Sequence, residues 1–137
     1  MSFEGLSAIS LACNTANAIS CFMTLASIKA FFEVGNIEPF RPFFVWWKQV
    51  GNKDKSRQPL TDFEFHRGIR QVTTMEFCVA MLVFWTSGQN KLPGLALMSM
   101  LLCFLTYGHV IAKDGLGLFV FTLFSIVTSC FVTLAIA

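Results

Sequence analysis

The sequence predicts an all-α membrane protein, in which residues 1–137 form a single domain, an antiparallel bundle of four transmembrane helices. The first observation is composition: 55% of the residues are hydrophobic and only 13% are charged, whereas soluble domains carry roughly 25% charged residues. The second is length. Four mostly apolar stretches reach the roughly 20 residues that cross a bilayer, namely 5–32, 65–86, 92–112 and 115–137.

The links between these stretches predict how the helices are arranged. The second and third are joined by SGQNKLPG, and the third and fourth by KDG, so both pairs are predicted to be antiparallel neighbours. The link after the first helix is long and contains Pro39, Pro42 and Pro59, which argue against a continuous helix there. Thr61 and Glu64 at its end predict a capping box that begins the second helix.

The long first link contains an apolar segment, PFFVWWKQV, that is too short to cross a membrane. Trp46 and Trp47 stand beside Lys48, a combination typical of segments at the level of the lipid headgroups. We predict that these three residues are an interfacial anchor. The polar GNKDKSRQP that follows is predicted to face water.

Charge predicts the orientation. Lys91 lies on the same side as the two termini, and Lys29 lies near the opposite side. The remaining basic residues are on that opposite side, here called the loop side: Arg41, Lys48, Lys53, Lys55, Arg57, Arg67, Arg70 and Lys113. The positive-inside rule then places the loop side in the cytosol, matrix or stroma and both termini across the membrane. No basic residue precedes the first apolar stretch and Glu4 is acidic, which argues against a secretory signal peptide. The prediction is an organellar inner membrane, with the mitochondrial one favoured and thylakoid or endoplasmic reticulum as alternatives.

The first helix carries a small residue at every fourth position, and these residues form its predicted packing face: Ala8, Ala12, Ala16, Ser20 and Thr24. Small residues let membrane helices approach closely, within the bundle or against a partner. Asn14 and Asn17 are predicted to add hydrogen bonds between helices. The five cysteines lie in apolar stretches without metal-binding spacing and are interpreted as small apolar residues.

Four ionisable residues form a predicted intramembrane polar cluster: Lys29, Glu76, His109 and Asp114. A charge in the middle of a membrane helix costs about 2.5–3.5 kcal/mol, so such groups are expected to face the bundle interior and find partners. We expect Lys29 to meet Glu76, and His109 to bond Glu76 or Asp114. Two interpretations stay open: a structural network, or a proton-handling or ligand-binding pair made by Glu76 and His109. A haem or chlorophyll on His109 is a further alternative, with His66 at the wet boundary as a poor second ligand.

Other function classes find little support. The net charge of +2 is too small to indicate nucleic acid binding. There is no glycine-rich phosphate loop and no Ser/His/Asp pattern, and the links are too short for a soluble active site. We therefore predict no enzyme acting alone, no catalytic residue, no metal site and no resident cofactor, with quinone, lipid or a pigment as candidate ligands.

Three short motifs resemble one known family. They are SIKAFF at 27–32, GIRQVTTMEF at 68–77 and YGHVIAKD at 107–114, followed by a final apolar helix. This arrangement is similar to the DoxX-like membrane proteins, which include the novel acetylcholine receptor chaperone, over about residues 18–134. It departs from them at Met75, where the family has a small residue, and in the loop with Trp46 and Trp47. The resemblance implies a four-helix bundle with an interior polar cluster.

Taken together, the sequence favours a non-enzymatic accessory or assembly subunit of a larger membrane complex, with the respiratory chain as the favoured setting. Its expected partners are the lipid bilayer and other membrane subunits. The resemblance implies two alternative functions. One is a redox-linked subunit that binds quinone near Glu76 and His109, since some DoxX-like proteins serve quinone-dependent sulfur oxidation. The other is an assembly chaperone for another membrane protein.

Overall fold

The computed structural model describes residues 3–51 and 60–137, and in those ranges every regular element is a helix. The elements are α1 (Phe3–Phe31), α2 (Arg41–Gly51), α3 (Asp62–Phe84), α4 (Leu92–Ala112) and α5 (Gly117–Ala135), with short 3-10 turns at Glu38–Phe40 and Gly88–Lys91. The all-α prediction is therefore confirmed. Residues 52–59, the greater part of the segment predicted to face water, lie outside the described residues.

Three helical segments are long and apolar enough to cross a membrane: Gly5–Phe31, Gly88–Ala112 and Gly117–Ala135. The chain is thus compatible with an integral membrane protein. Helix α3 is long enough, at 23 residues, but is not one of the three, because its sequence mixes polar residues such as Arg67, Arg70 and Glu76 with apolar ones.

The four long helices pack side by side. α1 packs against α3 and α5, and α4 packs against α5 and α3. The C-terminal halves of α1 and α4 line one cavity together with residues from the N-terminal halves of α3 and α5. Sequence neighbours among the long helices therefore run antiparallel. The core between them includes Ala16, Val83, Leu95, Met98 and Val127, all fully buried.

The start of α3 follows the predicted capping box. The Thr61 hydroxyl accepts a hydrogen bond from the backbone N–H of Glu64 at 3.2 Å, and the Glu64 carboxylate accepts one from the backbone N–H of Thr61 at 3.4 Å. Two orphan donors of the first turn are satisfied in this way, so α3 begins at Asp62, three residues earlier than hydropathy alone predicts.

The small-residue face of α1 lies partly inside the bundle. Ala12, Ala16 and Ser20 are buried, Thr24 is half-buried and Ala8 is exposed. The hydroxyl of Ser20 donates to the carbonyl of Ala16 at 2.8 Å, and that of Thr24 donates to the carbonyl of Ser20 at 2.7 Å. Both hydroxyls are satisfied on their own helix, so this face packs without an unpaired polar group.

Helix α2 packs into the bundle, whereas the sequence predicted an anchor at the headgroups. Phe43, Phe44 and Trp46 keep only 2%, 5% and 8% of their surface exposed. Two glycines make the space: a Cβ on Gly108 would lie 2.4 Å from Trp46 Cζ3, and one on Gly68 would lie 2.6 Å from Phe44 Cδ1. Trp46 is therefore a core residue of the loop-side end.

The rest of the predicted anchor stays near the surface. Trp47 is half-exposed, and the Lys48 ammonium lies 2.8 Å from the Glu64 carboxylate. Lys48 is thus an ion-pair partner that ties α2 to the start of α3. Of the predicted anchor, Trp47 alone keeps an aromatic surface available to a headgroup layer.

Lys91 closes the opposite end of the bundle. It is 2% exposed, and its Nζ donates to Asn17 Oδ1, to the carbonyl of Val83 and to the carbonyl of Thr86, each at 2.6 Å. Helix ends leave their last carbonyls without intrahelical donors. Lys91 supplies donors to the end of α3 and joins it to α1, a role that its position in a short link did not predict.

Candidate functional site

The candidate site is a cavity of about 250 Å³ in the loop-side half of the bundle. All four long helices line it, and the segment from Ile37 to Phe44 covers it. Its described walls are apolar except for Thr73, Glu76 and His109. Since an apolar cavity of roughly 150 Å³ holds a benzene molecule, this one has room for a substituted ring.

Glu76 brings a carboxyl group to the cavity. It lies near the middle of α3, where the helix faces α1 and α4, and it is partly buried. Among the described residues its carboxyl makes no hydrogen bond and no ion pair. Among the described residues the carboxyl of Glu76 therefore has no partner, and it can form hydrogen bonds with a bound molecule.

The structure does not bring Lys29 to Glu76. The inward face of α1 carries Ser20, Met23 and Ser27, all buried, whereas Lys29 is exposed at the end of the helix. Two residues past Ser27, the side chain points about 200° away from that face. The predicted polar cluster is thus reduced to Glu76, His109 and Asp114, with Lys29 outside it.

His109 enters the cavity from α4, and of its two predicted partners the structure shows Asp114. Its Nδ1 lies 2.5 Å from Asp114 Oδ2, and the Asp114 side chain is only 2% exposed. An ionised carboxylate accepts hydrogen bonds only, so Nδ1 carries a proton and donates it. In the neutral ring Nε2 is then the acceptor, and the carboxylate fixes both tautomer and ring orientation.

The tight turn after α4 places Asp114 under His109. Lys113 has a positive φ of 54° and donates its backbone N–H to the carbonyl of His109 at 3.0 Å, and Gly115 follows with a φ of 83°. The second carboxylate oxygen of Asp114 accepts the backbone N–H of Leu116 at 3.0 Å. The KDG link therefore reverses the chain direction and also holds the Asp114 carboxylate against the imidazole of His109.

The imidazole is also held by an aromatic contact that the sequence did not predict. The ring of Phe43 stacks on His109 with 4.5 Å between centroids and 28° between planes. Phe43 comes from α2, so docking of α2 both covers the cavity and orients one of its polar groups. The available sequence signal was the pair of glycines in α3 and α4, because small residues on a helix allow another segment to approach closely.

Ion pairs at the rim hold the covering segment in place. Arg41 bonds Glu38 at 2.9 Å and Asp62 at 3.1 Å, and its guanidinium lies 4.5 Å over the ring of Phe65. The hydrogen bonds with Arg41 lower the pKa of Glu38 and raise the pKa of the guanidinium.

The arrangement suits a lipophilic molecule with a polar head. The apolar walls would bury a ring, and Glu76 and His109 Nε2 are available to bond a carbonyl or hydroxyl group and to exchange a proton with it. It suits a tetrapyrrole poorly, because such a ring is far larger than the cavity. His66 lies outside the cavity, bonded to Glu33, and so gives no second axial ligand there.

Comparisons with models of protein families, with curated proteins and with solved structures found no match to this chain. The resemblance to the DoxX-like family therefore stays a prediction from short motifs.

Proposed function

We propose that this chain is a four-helix integral membrane protein that binds a lipophilic molecule of the quinone class in the bundle cavity, as a subunit of a larger membrane complex. The observation that carries the proposal is the pairing of apolar walls with two polar groups of unused hydrogen-bonding capacity, Glu76 and His109 Nε2. Pockets for small molecules combine apolar walls with a few placed polar groups in this way.

The proposal includes α3 as the fourth membrane span. At 23 residues and a rise of about 1.5 Å per residue, α3 is about 34 Å long, enough for the hydrocarbon layer. Its polar residues are arranged for such a position, since Arg67 and Arg70 lie near its loop-side end and Glu76 faces the bundle interior. The basic loop side would face the matrix, cytosol or stroma.

The resemblance to DoxX-like proteins agrees with this proposal. The residues that carry it include Glu76, His109 and Asp114, and some members of that family serve quinone-dependent oxidation. On this view the chain supplies a quinone site, and its partners in the complex supply the electron transfer.

A binding assay tests the proposal. Quinones quench tryptophan fluorescence, and Trp46 packs against Phe43 in the wall of the cavity with 5.5 Å between ring centroids. Titration of the purified protein in nanodiscs with a short-chain ubiquinone should give saturable quenching. Glu76→Gln replaces the carboxyl by an amide, a weaker hydrogen-bonding partner for a quinone oxygen, and should weaken binding roughly ten-fold.

The matched control is Glu33→Gln, which removes a carboxylate of the same end of the bundle that neither lines the cavity nor pairs with the covering segment, because its partner is His66. Equal dissociation constants for the wild-type protein, Glu76→Gln and His109→Gln, all with normal thermal stability, would refute the proposed site.

A second candidate, an accessory or assembly subunit without a ligand, is favoured by a different surface. An open groove of about 740 Å³ runs between α4 and α5, lined by the small residues Ala96, Ser99 and Thr128 beside aromatic ones. Small residues allow a further helix to approach closely. Purification of the native complex in mild detergent tests it: migration as a free 15.3 kDa chain with no partner would count against it. An assembly chaperone would instead bind its client only before assembly is complete.

A further inference from the structure

A second site lies on the outer surface of the loop-side end, between α2 and α3. It is an open groove of about 810 Å³, here called the basic groove, with Trp47 and Phe63 as aromatic walls and Arg67, Arg70, Gln71 and Thr74 along α3. We propose that the basic groove binds the phosphate headgroup of an anionic phospholipid in the loop-side leaflet. The inference rests on insertion of the bundle in a membrane, but not on quinone binding in the cavity.

Unpaired positive charge is the first argument. Arg67 and Arg70 are exposed, and in the described part of the chain neither guanidinium has a hydrogen bond or an ion-pair partner. The nearby carboxylates are already engaged: Glu33 with His66, Asp62 with Arg41 and Glu64 with Lys48. The two guanidinium charges are thus left for an external anion.

The spacing of the donors is the second argument. Residues 67, 70, 71 and 74 follow the i, i+3, i+4, i+7 pattern that puts side chains on one helix face. Guanidinium groups bind phosphate oxygens through two parallel hydrogen bonds, so two arginines one turn apart can clamp one phosphate. The Gln71 amide adds a further donor on the same face.

The apolar part of the groove selects a lipid over a free anion. Met75 lines the groove one turn deeper into the span than Gln71, where the first methylenes of an acyl chain would lie. Trp47 is half-exposed at the rim, and tryptophan favours the headgroup level of a bilayer. A soluble phosphate would meet the arginines but leave Met75 and the tryptophan ring without a partner.

Quenching of Trp47 by brominated lipids tests the proposal. The protein carries Trp46→Phe and Trp85→Phe, so that Trp47 is its single tryptophan, and is reconstituted in phosphatidylcholine vesicles with either brominated phosphatidylglycerol or brominated phosphatidylcholine at equal mole fraction. Phosphatidylglycerol should quench Trp47 preferentially. Each direct guanidinium–phosphate contact at this exposed site should favour the anionic lipid up to about five-fold, so Arg67→Gln/Arg70→Gln should reduce the preference by up to about 25-fold.

The control is Lys29→Gln/Lys113→Gln, which removes the same charge from exposed residues of the same end. It should leave the preference within about two-fold, because neither lysine lines the groove. An equal loss in both double variants would show diffuse surface charge and overturn the proposal, as would equal quenching by the two lipids or displacement of the brominated lipid by inorganic phosphate.

The Arg67→Lys/Arg70→Lys variant, which keeps the charge, should lose only part of the preference. Glu76→Gln should retain the full preference even where quinone binding fails, which separates this site from the cavity.

Discussion

Gly108→Ala should displace α2 from its packed position against α4. The added Cβ would lie 2.4 Å from Trp46 Cζ3 and 2.5 Å from Phe43 Cε2, distances that real Cβ contacts do not show. Both obstructing atoms belong to rigid rings that are themselves buried, so relief requires movement of α2 and not of one flexible side chain. Overpacking of this kind costs about 1–3 kcal/mol.

The better helix propensity of alanine offsets about 0.5–1 kcal/mol of this cost, which leaves a net destabilisation of up to about 2.5 kcal/mol. An upper limit comes from complete undocking, which would expose Phe43, Phe44 and Trp46 at about 1.5–3 kcal/mol each. The smaller figure is expected because a shift of α2 is cheaper than its release.

Unfolding of the purified protein in mixed micelles measures the free energy of unfolding, and the emission maximum of Trp46 in a Trp47→Phe/Trp85→Phe background reports the shift of α2. Gly117→Ala is the matched control, since its Cβ meets chiefly a methyl of Val110 at 3.0 Å. That variant should keep the emission maximum. A Gly108→Ala protein as stable as wild type, with unchanged emission, would refute the docking of α2 against α4.

Three further outcomes are expected. Lys91→Met should lower the free energy of unfolding by about 1–3 kcal/mol. The cause is that the carbonyls of Val83 and Thr86 and the amide oxygen of Asn17 lose their buried donor. Lys113→Met, at an exposed lysine, is the control in the same unfolding assay. Asp114→Asn should weaken quinone binding several-fold in the quenching titration, because an amide no longer fixes Nδ1 of His109 as the donor, and unchanged binding would contradict that role. The hydrogen bond with Arg41 lowers the pKa of Glu38, so the stabilisation from this carboxylate is complete above the ordinary value of 4.5 and is lost as the pH falls through the folded value; Glu38→Gln should flatten this acid loss in a pH series of unfolding curves.

The elements that sequence predicts well are those whose cause is local. The start of α4 at Leu92 and its end at Ala112 match the predicted bounds, because Pro93 sets the first turn and the KDG link ends the helix. The capping box of Thr61 and Glu64 is equally local and is confirmed. Hydropathy alone places the other ends within about three residues.

The site was predictable only in part, because its geometry depends on contacts between distant segments. Glu76 and His109 stand out as polar residues in apolar stretches, but which of them meet depends on the rotation of each helix. Lys29 differs from Ser27 by two positions, and that difference places it outside the bundle. Hydropathy does not predict which face of a helix as evenly apolar as α1 turns toward the bundle interior.

The role of α2 was hidden for a similar reason. Two adjacent tryptophans beside a lysine indicate a headgroup anchor as readily as a buried cover, and the sequence does not say that Gly68 and Gly108 lie opposite them. Lys91 shows the same limit, since a lysine in a short link is ordinarily solvated. Only the packed structure shows that Asn17 and two carbonyls surround its ammonium.

Photolabelling with an azido-substituted short-chain quinone tests whether the bundle cavity binds a quinone. The protein is labelled in nanodiscs, and the modified peptides are located by mass spectrometry with and without excess unlabelled quinone. We expect competed labels on cavity residues from several helices, such as Met23, Val72, Leu105 and Val120, and their loss in Glu76→Gln. Labels confined to the outer α4–α5 groove around Met100 and Phe124, or cavity labels unaffected by Glu76→Gln, would contradict it.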